Sequence, residues 1–222
     1  MLSWITRATQ KIEERAAAVG IVYQLAVQYY KRVIHREVGL AEISRDDSVL
    51  FIGGGVCPLS AILIHQFTGA KVTVMDNNED CVGKAREVVE RLGLCEHINV
   101  LFADGGDSEF SLDGYTVIQL ALQVTPVEKI FNELKQRISP GVRLLVRRPR
   151  DKLCGLYCEL SGKMLRSCNC VIHPGASNIG STFMYMKQEE GFSVSQNAAQ
   201  LSFAQCKDEA EQSSCFTETK VA

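Results

Sequence analysis

The sequence has no uncharged apolar run of the ~18–20 residues that a bilayer-spanning helix requires. It has no excess of one charge: 24 basic side chains stand against 26 acidic ones, a formal net charge of -2. That balance argues against a partner such as nucleic acid or a membrane surface, which bulk electrostatics would hold. The first residues carry Arg7, Lys11, Glu13, Glu14 and Arg15, so they do not read as a secretory leader. No internal repeat or low-complexity tract is present. No G-x-x-x-x-G-K-[ST] phosphate loop occurs, and no repeated C-x2-C pair of the kind that holds zinc.

What is present is a globular composition, 46% hydrophobic and 23% charged over 222 residues. That is enough chain for one domain with a real core. Nine cysteines in a chain read as lacking an export signal are expected to be mostly reduced thiols in a cytoplasm.

Residues 1–44 read as a helical extension. From Ser3 to about Val38, apolar residues such as Ile12, Val19, Val27, Tyr30, Val33 and Ile34 recur at three- and four-residue steps. Gly20 is a place where this helix could divide, and Gly39 punctuates its end. Residues 45–188 then alternate strand and helix signals. Strands are expected at Val49–Ile52, Lys71–Met75, Ile98–Phe102, Tyr115–Leu120 and Val142–Val146. Helices are expected at Pro58–Phe67, Glu79–Leu92 and Val127–Ile138. Such alternation means βαβ units, a doubly wound and mostly parallel sheet with helices on both faces. After Arg147 the rhythm loosens, with a short helix expected at Leu156–Leu160 and strands at Ser167–Ile172 and Thr182–Met186. Residues 189–222 read as a polar, weakly ordered tail.

The chemistry concentrates at Gly53-Gly54-Gly55-Val56-Cys57-Pro58, between the first strand and its helix. Glycine has no Cβ, so a ligand can approach the backbone there, and the following helix N-terminus offers N–H groups to an anion. The plain alternative is a tight strand-to-helix turn. Asp76 ends the second strand about 20 positions on, where a doubly wound sheet puts the acid that binds ribose hydroxyls. Asp104 follows the third strand at the same edge. A dinucleotide fingerprint would need a third glycine where Pro58 stands.

A glycine loop with acids after strands two and three resembles the class I S-adenosylmethionine-dependent transferases, the Rossmann-like class I methyltransferase fold. The resemblance implies S-adenosylmethionine as co-substrate. It implies a binding set of Gly53, Gly54, Gly55, Pro58, Leu59, Asp76, Asn77, Asp104, Gly105, Leu120 and Ala121.

The run Phe51-Ile52-Gly53-Gly54-Gly55-Val56-Cys57-Pro58-Leu59-Ser60 further resembles the F-[IV]-G-[SG]-G-P-L-P-L-[ST] segment of nicotianamine synthases. The likeness continues through Val72, Met75, Asp76, Ala85 to Val89, Arg91-Leu92-Gly93-Leu94, Asp104, Leu145-Val146-Arg147 with Leu156-Tyr157, and Pro174-Gly175 with Asn178 and Ser181 to Lys187. It implies an enzyme that moves a 3-amino-3-carboxypropyl group. Two features depart from the family: Val56-Cys57 replaces Pro-Leu, and the N-terminal helical region is shorter. The family's catalytic glutamate has no assigned counterpart, Glu13 and Glu14 being candidates only by position. Methyl transfer to a small molecule is therefore placed first and aminocarboxypropyl transfer to an amine second. A silent ligand- or metal-handling protein is the third reading.

Tyr30, Arg147 and Tyr157 are the catalytic candidates, and Gln123 and His173 complete the expected acceptor pocket. The ordinary reading of Arg147 is a solvated strand end, and that of His173 a loop residue. The basic run Arg147-Arg148-Pro149-Arg150-Asp151-Lys152 suits a carboxylate-bearing acceptor or a solvated loop. Cys154, Cys158, Cys168 and Cys170 read as buried thiols rather than a metal site, and no metal is expected. The N-terminal helix is left either to cover the acceptor cleft or to pair with a second subunit in a homodimer.

Overall fold

The computed structural model of the chain describes residues 20–157, 160, 165, 168–175 and 178–188. The expectations for residues 1–19 and for the tail from Glu189 fall outside these.

Helix α1 (Gly20–Ala41) leads into β1 (Ser48–Ile52), α2 (Leu59–Thr68), β2 (Lys71–Asp76), α3 (Glu79–Arg91) and β3 (Ile98–Phe102). Then follow β4 (Val117–Leu120), α4 (Val127–Arg137), β5 (Arg143–Pro149), a 3₁₀ turn (Asp151–Leu156), β6 (Asn169–Ile172) and β7 (Ile179–Met186). The seven strands form one sheet in the order β3-β2-β1-β4-β5-β7-β6. Strands β1 to β5 pair in parallel. β7 pairs antiparallel with both β5 and β6. β6 consequently runs the same way as β1–β5, and six carboxyl ends share one rim. This is the doubly wound, mostly parallel sheet that the strand–helix alternation implies.

The central strands are apolar because both faces are covered. Val49 to Ile52 and Val117 to Leu120 are all buried, and the only polar side chain among them is Gln119. α3 shows how the flanking helices form. Asn78 caps its N-terminus by accepting from the Cys81 N–H at 3.2 Å, and Glu79 and Asp80 complement the dipole. Cys81, Val82, Ala85, Val88 and Val89 form the buried stripe, at helical spacing.

Several boundaries depart from expectation: β4 opens at Val117 rather than Tyr115, β7 at Ile179 rather than Thr182, and the 3₁₀ turn at Asp151–Leu156 stands ahead of the helix expected at Leu156–Leu160. Two further ones have a visible cause. α1 runs through Gly39 to Ala41, because its end is clamped: the Arg143 guanidinium donates to Ala41 O at 2.6 Å and pairs with Asp47. Burial pushes the Asp47 carboxyl up, but the Ser44 N–H, the Thr116 hydroxyl and Arg143 outweigh it, and its pKa lies below the usual value. β5 continues past Val146 to Pro149, because β7 carries the ladder on through Arg147↔Thr182 and Arg148↔Ser181. The start of the basic run is therefore strand, not solvated loop.

Among the described residues no helix is long and apolar enough to cross a membrane. Cys57, Cys81, Cys95 and Cys168 are reduced thiols. Cys170 departs from the thiol expectation: it is disulfide-bonded. The side chains of Cys154 and Cys158 lie outside the described residues. Among the described residues no group of three or more His, Cys, Asp or Glu is placed to hold a metal ion.

Candidate active site

The sheet register sets the rim. Ile52, Met75 and Leu120 lie in one row, with Leu101 beside Met75 and Val146 beside Leu120. One residue further along, Gly53, Asp76, Phe102, Ala121 and Arg147 form the next row, beyond which, of these five strands, only β5 continues, to Pro149. Gly53, Asp76 and Ala121, expected on the donor side, thus share one edge of the sheet with Arg147, expected on the acceptor side.

At its β1–β3 end the rim is built from local loops. Gly53 takes φ +87° and Gly55 φ +63°, conformations that L side chains rarely adopt. Gly54 is needed for a different reason: a Cβ there would lie 2.1 Å from Val74 Cγ1, so the loop packs straight onto β2. A Cβ on Gly105 would likewise lie 2.5 Å from Ile52 Cγ2. The Met75 carbonyl accepts the Gly53 N–H at 2.8 Å. The Asp76 carboxylate accepts the Gly55 N–H at 2.8 Å on Oδ2 and the Asn78 N–H at 3.0 Å on Oδ1.

Asp76 thus ties the glycine loop to the end of β2 and keeps a further lone pair on each oxygen for a ligand. Asp104 Oδ1 accepts the Gly106 N–H at 2.8 Å, which shapes the loop after β3. Asp76 is half-buried, and Asn77 and Asp104 are exposed. Pro58 and Leu59 are buried at the start of α2, where no side chain caps the helix N-terminus. Leu120 and Ala121 are buried at the end of β4.

At its β4–β6 end the rim holds a buried polar network on the face that α1 and α2 cover. Glu37, on α1, is fully buried, and Arg147 is nearly so. They form a two-point ion pair, Nε to Oε1 at 2.8 Å and Nη2 to Oε2 at 2.7 Å. Gln119 Nε2 donates to Glu37 Oε2 at 2.7 Å, and the Thr182 hydroxyl donates to Oε1 at 2.7 Å. Arg147 Nη2 also reaches Ser60 Oγ at 3.1 Å, in the first turn of α2. The guanidinium carbon lies 5.3 Å from the centroid of the Phe51 ring. Burial pushes the Glu37 carboxyl up, but the charge and hydrogen bonds of Arg147, with His173 and Thr182, outweigh it. Its pKa ends below the usual value.

His173, just past β6, continues the chain: its Nε2 lies 2.8 Å from Thr182 Oγ1. Burial, with Arg147, Arg36 and Arg150 nearby, lowers its pKa to about 4 despite Glu37.

Two expectations change here. Arg147 is not a solvated strand end; His173 is the loop residue of its ordinary reading, but both are buried and hydrogen-bonded. Arg147 points into the fold at Glu37, away from the solvent a carboxylate-bearing acceptor would come from. Tyr30 is half-buried on α1, two turns before Glu37 on the same face, and packs against the core. Tyr157 and Gln123 are half-buried. Glu37, Ser60, Gln119 and Thr182 were not singled out from the sequence. A signal existed: Glu37 continues the apolar face of Val27, Tyr30 and Ile34, and Gln119 interrupts a strand buried throughout.

The comparisons follow from this geometry. The model of the nicotianamine synthase protein family matches residues 28–190, which span α1 from its middle, the rim loops and all seven strands. L-histidine 2-aminobutanoyltransferase from Pseudomonas aeruginosa (strain UCBPP-PA14) is 28% identical over 114 residues, 51% of this chain. The match spans 43% of that protein, so under half the relative's length is represented.

Among solved structures, a mutant of MtNAS in complex with S-adenosylmethionine superposes with a TM-score of 0.66 at 20% identity. It covers 81% of this chain and 71% of that one. An RNA methyltransferase from Salinibacter ruber in complex with S-adenosyl-L-homocysteine gives 0.53 at 19% identity, over 73% and 94% of the two chains. These likenesses show a shared fold. The family match, extending over well more than half of the chain, makes this protein a member of the nicotianamine synthase family.

Proposed function

We propose that the protein is an S-adenosylmethionine-dependent transferase that moves the 3-amino-3-carboxypropyl group to a small-molecule amine. The observation that carries this reading is the family match across the rim, with the Gly53–Gly55 loop tied to Asp76 in the same row as Arg147. We put this transfer ahead of methyl transfer, the reverse of the order read from the sequence; family membership and the aminobutanoyl transfer named for the Pseudomonas relative support that order. Methyl transfer is the second reading, supported by the sheet's likeness to the Salinibacter methyltransferase.

The rim suits the donor. Asp76 retains lone pairs for a ribose diol, Asp104 and Asn77 are open to solvent, and Gly53 and Gly55 are part-exposed along the loop. Gly54, Gly105, Pro58, Leu59, Leu120 and Ala121 form the walls. The donor's sulfonium supplies a good leaving group, so the protein's task is alignment. The amine lone pair makes the new C–N bond, the C–S pair leaves on sulfur as a neutral thioether, and the extra proton on nitrogen passes to water. Tyr30 and Tyr157 are assigned to the acceptor side. Arg147 is assigned to holding α1 and the first turn of α2 rather than to gripping an acceptor directly.

Calorimetry with S-adenosylmethionine tests the donor site. Asp76→Ala should weaken binding by about 1.5–3 kcal/mol, roughly 10- to 150-fold, because a charged acceptor and the loop tether are lost together. Unchanged affinity would remove the assignment. Product analysis separates the transfers: methylthioadenosine marks the aminocarboxypropyl route and S-adenosylhomocysteine the methyl route.

A further inference from the structure

Three large apolar side chains among the described residues are well exposed: Leu92, Phe102 and Met186. Single exposed apolar residues are ordinary on a protein surface, so exposure by itself assigns nothing. Their places in the fold separate them. Leu92 follows α3, which descends from the carboxyl rim, and Met186 ends the antiparallel β7, opposite Arg143 at the start of β5. Both lie at the amino edge of the sheet, away from the candidate site. Phe102 ends β3 on the carboxyl rim and is 57% exposed, the most of the three.

The sheet register puts Phe102 beside Asp76. The two are Cα partners on neighbouring parallel strands, as are Val74 with Val100 and Val72 with Ile98 below them. Side chains alternate along a strand, so these three pairs share one face of the sheet. The lower two pairs are buried, and the face reaches solvent only at Asp76 and Phe102. The Ala103 N–H donates to Asp76 O at 3.1 Å, so the ladder continues past this pair and fixes one residue against the other. Neighbouring strands lie ~4.8 Å apart, so the ring and the carboxylate spring from backbones a single strand spacing apart.

A nucleoside presents the matching pair of groups. Its sugar diol is what a carboxylate grips, and its base hangs one bond from the sugar, flat and apolar on both faces. Asp76 keeps a lone pair on each oxygen for the diol after accepting the Gly55 and Asn78 N–H groups. On the β1 side Asp76 meets the glycine loop, which has no side chain to lay against a base. On the β3 side stands Phe102. An aromatic ring covers a face of the base without reading its edge.

We propose that Phe102 is the stacking platform for the adenine ring of S-adenosylmethionine. The inference rests on the transferase reading above and adds to its donor site a residue outside the expected binding set. Because the contact is to the base, it acts on the donor and on its nucleoside by-product alike.

Calorimetry on the full chain tests this with S-adenosylmethionine and methylthioadenosine as probes and Phe102→Ala, Phe102→Tyr and Phe102→Trp as variants. Alanine should weaken both ligands by a common factor of about five or more, and the two aromatic variants should stay within about threefold of the parent. The Phe102→Trp variant adds a direct signal, read as the difference from a parent whose single tryptophan is Trp4. Its emission should be quenched on saturation with methylthioadenosine, as an indole stacked on a base is. This readout does not depend on how the alanine variant folds.

Parental affinity in Phe102→Ala, a loss that the aromatic variants share, or an emission that ignores bound methylthioadenosine would each overturn the proposal. β3 is an edge strand, so a second copy of the chain is the rival occupant of the ring. An alanine variant that sediments differently yet binds the donor like the parent favours that rival and also overturns the proposal. A parent that binds neither nucleoside instead defeats the donor reading, and this inference with it.

Discussion

The two halves of the carboxyl rim solve the same problem, placing polar groups at the end of an apolar sheet, in different ways. On the β1–β3 half the groups come from short loops, stay partly in water and are satisfied by backbone N–H groups two residues on or in the neighbouring glycine loop. On the β4–β6 half they come from α1, α2, β4, β5, β7 and the end of β6. They are taken out of water and satisfy one another over separations of up to 145 positions. The first arrangement tolerates loss of a partner, because solvent can replace it. The second does not, since a buried charge without its partner has no substitute.

That contrast is sharpest at Arg147. Arg147→Ala should cost about 3–5 kcal/mol in denaturant unfolding, because Glu37 would be left buried and uncompensated. Adding Glu37→Leu should recover part of the loss but not all, since Gln119 and Thr182 then lose their acceptor. A cost below about 1 kcal/mol for Arg147→Ala would show the two halves to be energetically alike.

Acidification probes the same half through His173. Its folded pKa of about 4 lies below the ordinary value of 6.5, so the unfolded chain takes up the proton first. The stability from burying the neutral ring is present above pH 6.5 and drains away as the pH falls toward 4. It amounts to about 3 kcal/mol. Glu37, held below its usual range, adds a loss at lower pH still. Replacing His173 by Asn should flatten the stability profile between pH 6.5 and 4, as read by urea titrations across that window. An unaltered slope would place the acid sensitivity elsewhere.

On the loop half the expected effect is smaller and steric. Gly54→Ala forces a methyl to within 2.1 Å of Val74 Cγ1 and should cost about 1–3 kcal/mol. Combining it with Val74→Ala should recover part of this. If the pair instead adds its separate losses, the loop's close approach to β2 is not what Gly54 provides.

The legibility of the two halves in the sequence followed the same division. The strand and helix spans from Val49 to Arg137 could be read because each is a local pattern: apolar runs ended by Gly53, Gly69 and Gly93, and an amphipathic stripe in α3. Asp76 and Asp104 could be placed at one edge because consecutive parallel strands bring successive strand ends together. Arg147 was noticed but given a surface role, because nothing near it in the chain announces Glu37. The extension of β5 to Pro149 was missed for a related reason: it depends on β7, more than 30 positions later.

The sequence on its own determined the alternating architecture, the glycine loop with its two acids and the resemblance to nicotianamine synthases. Hydrophobic period, turn residues and short motifs are properties of neighbours in the chain. Only the tertiary structure decided that Arg147 turns inward, that its partner there is Glu37, and that His173 is buried against Thr182. Each of those outcomes depends on which groups share a desolvated space, and covalent order does not encode that proximity.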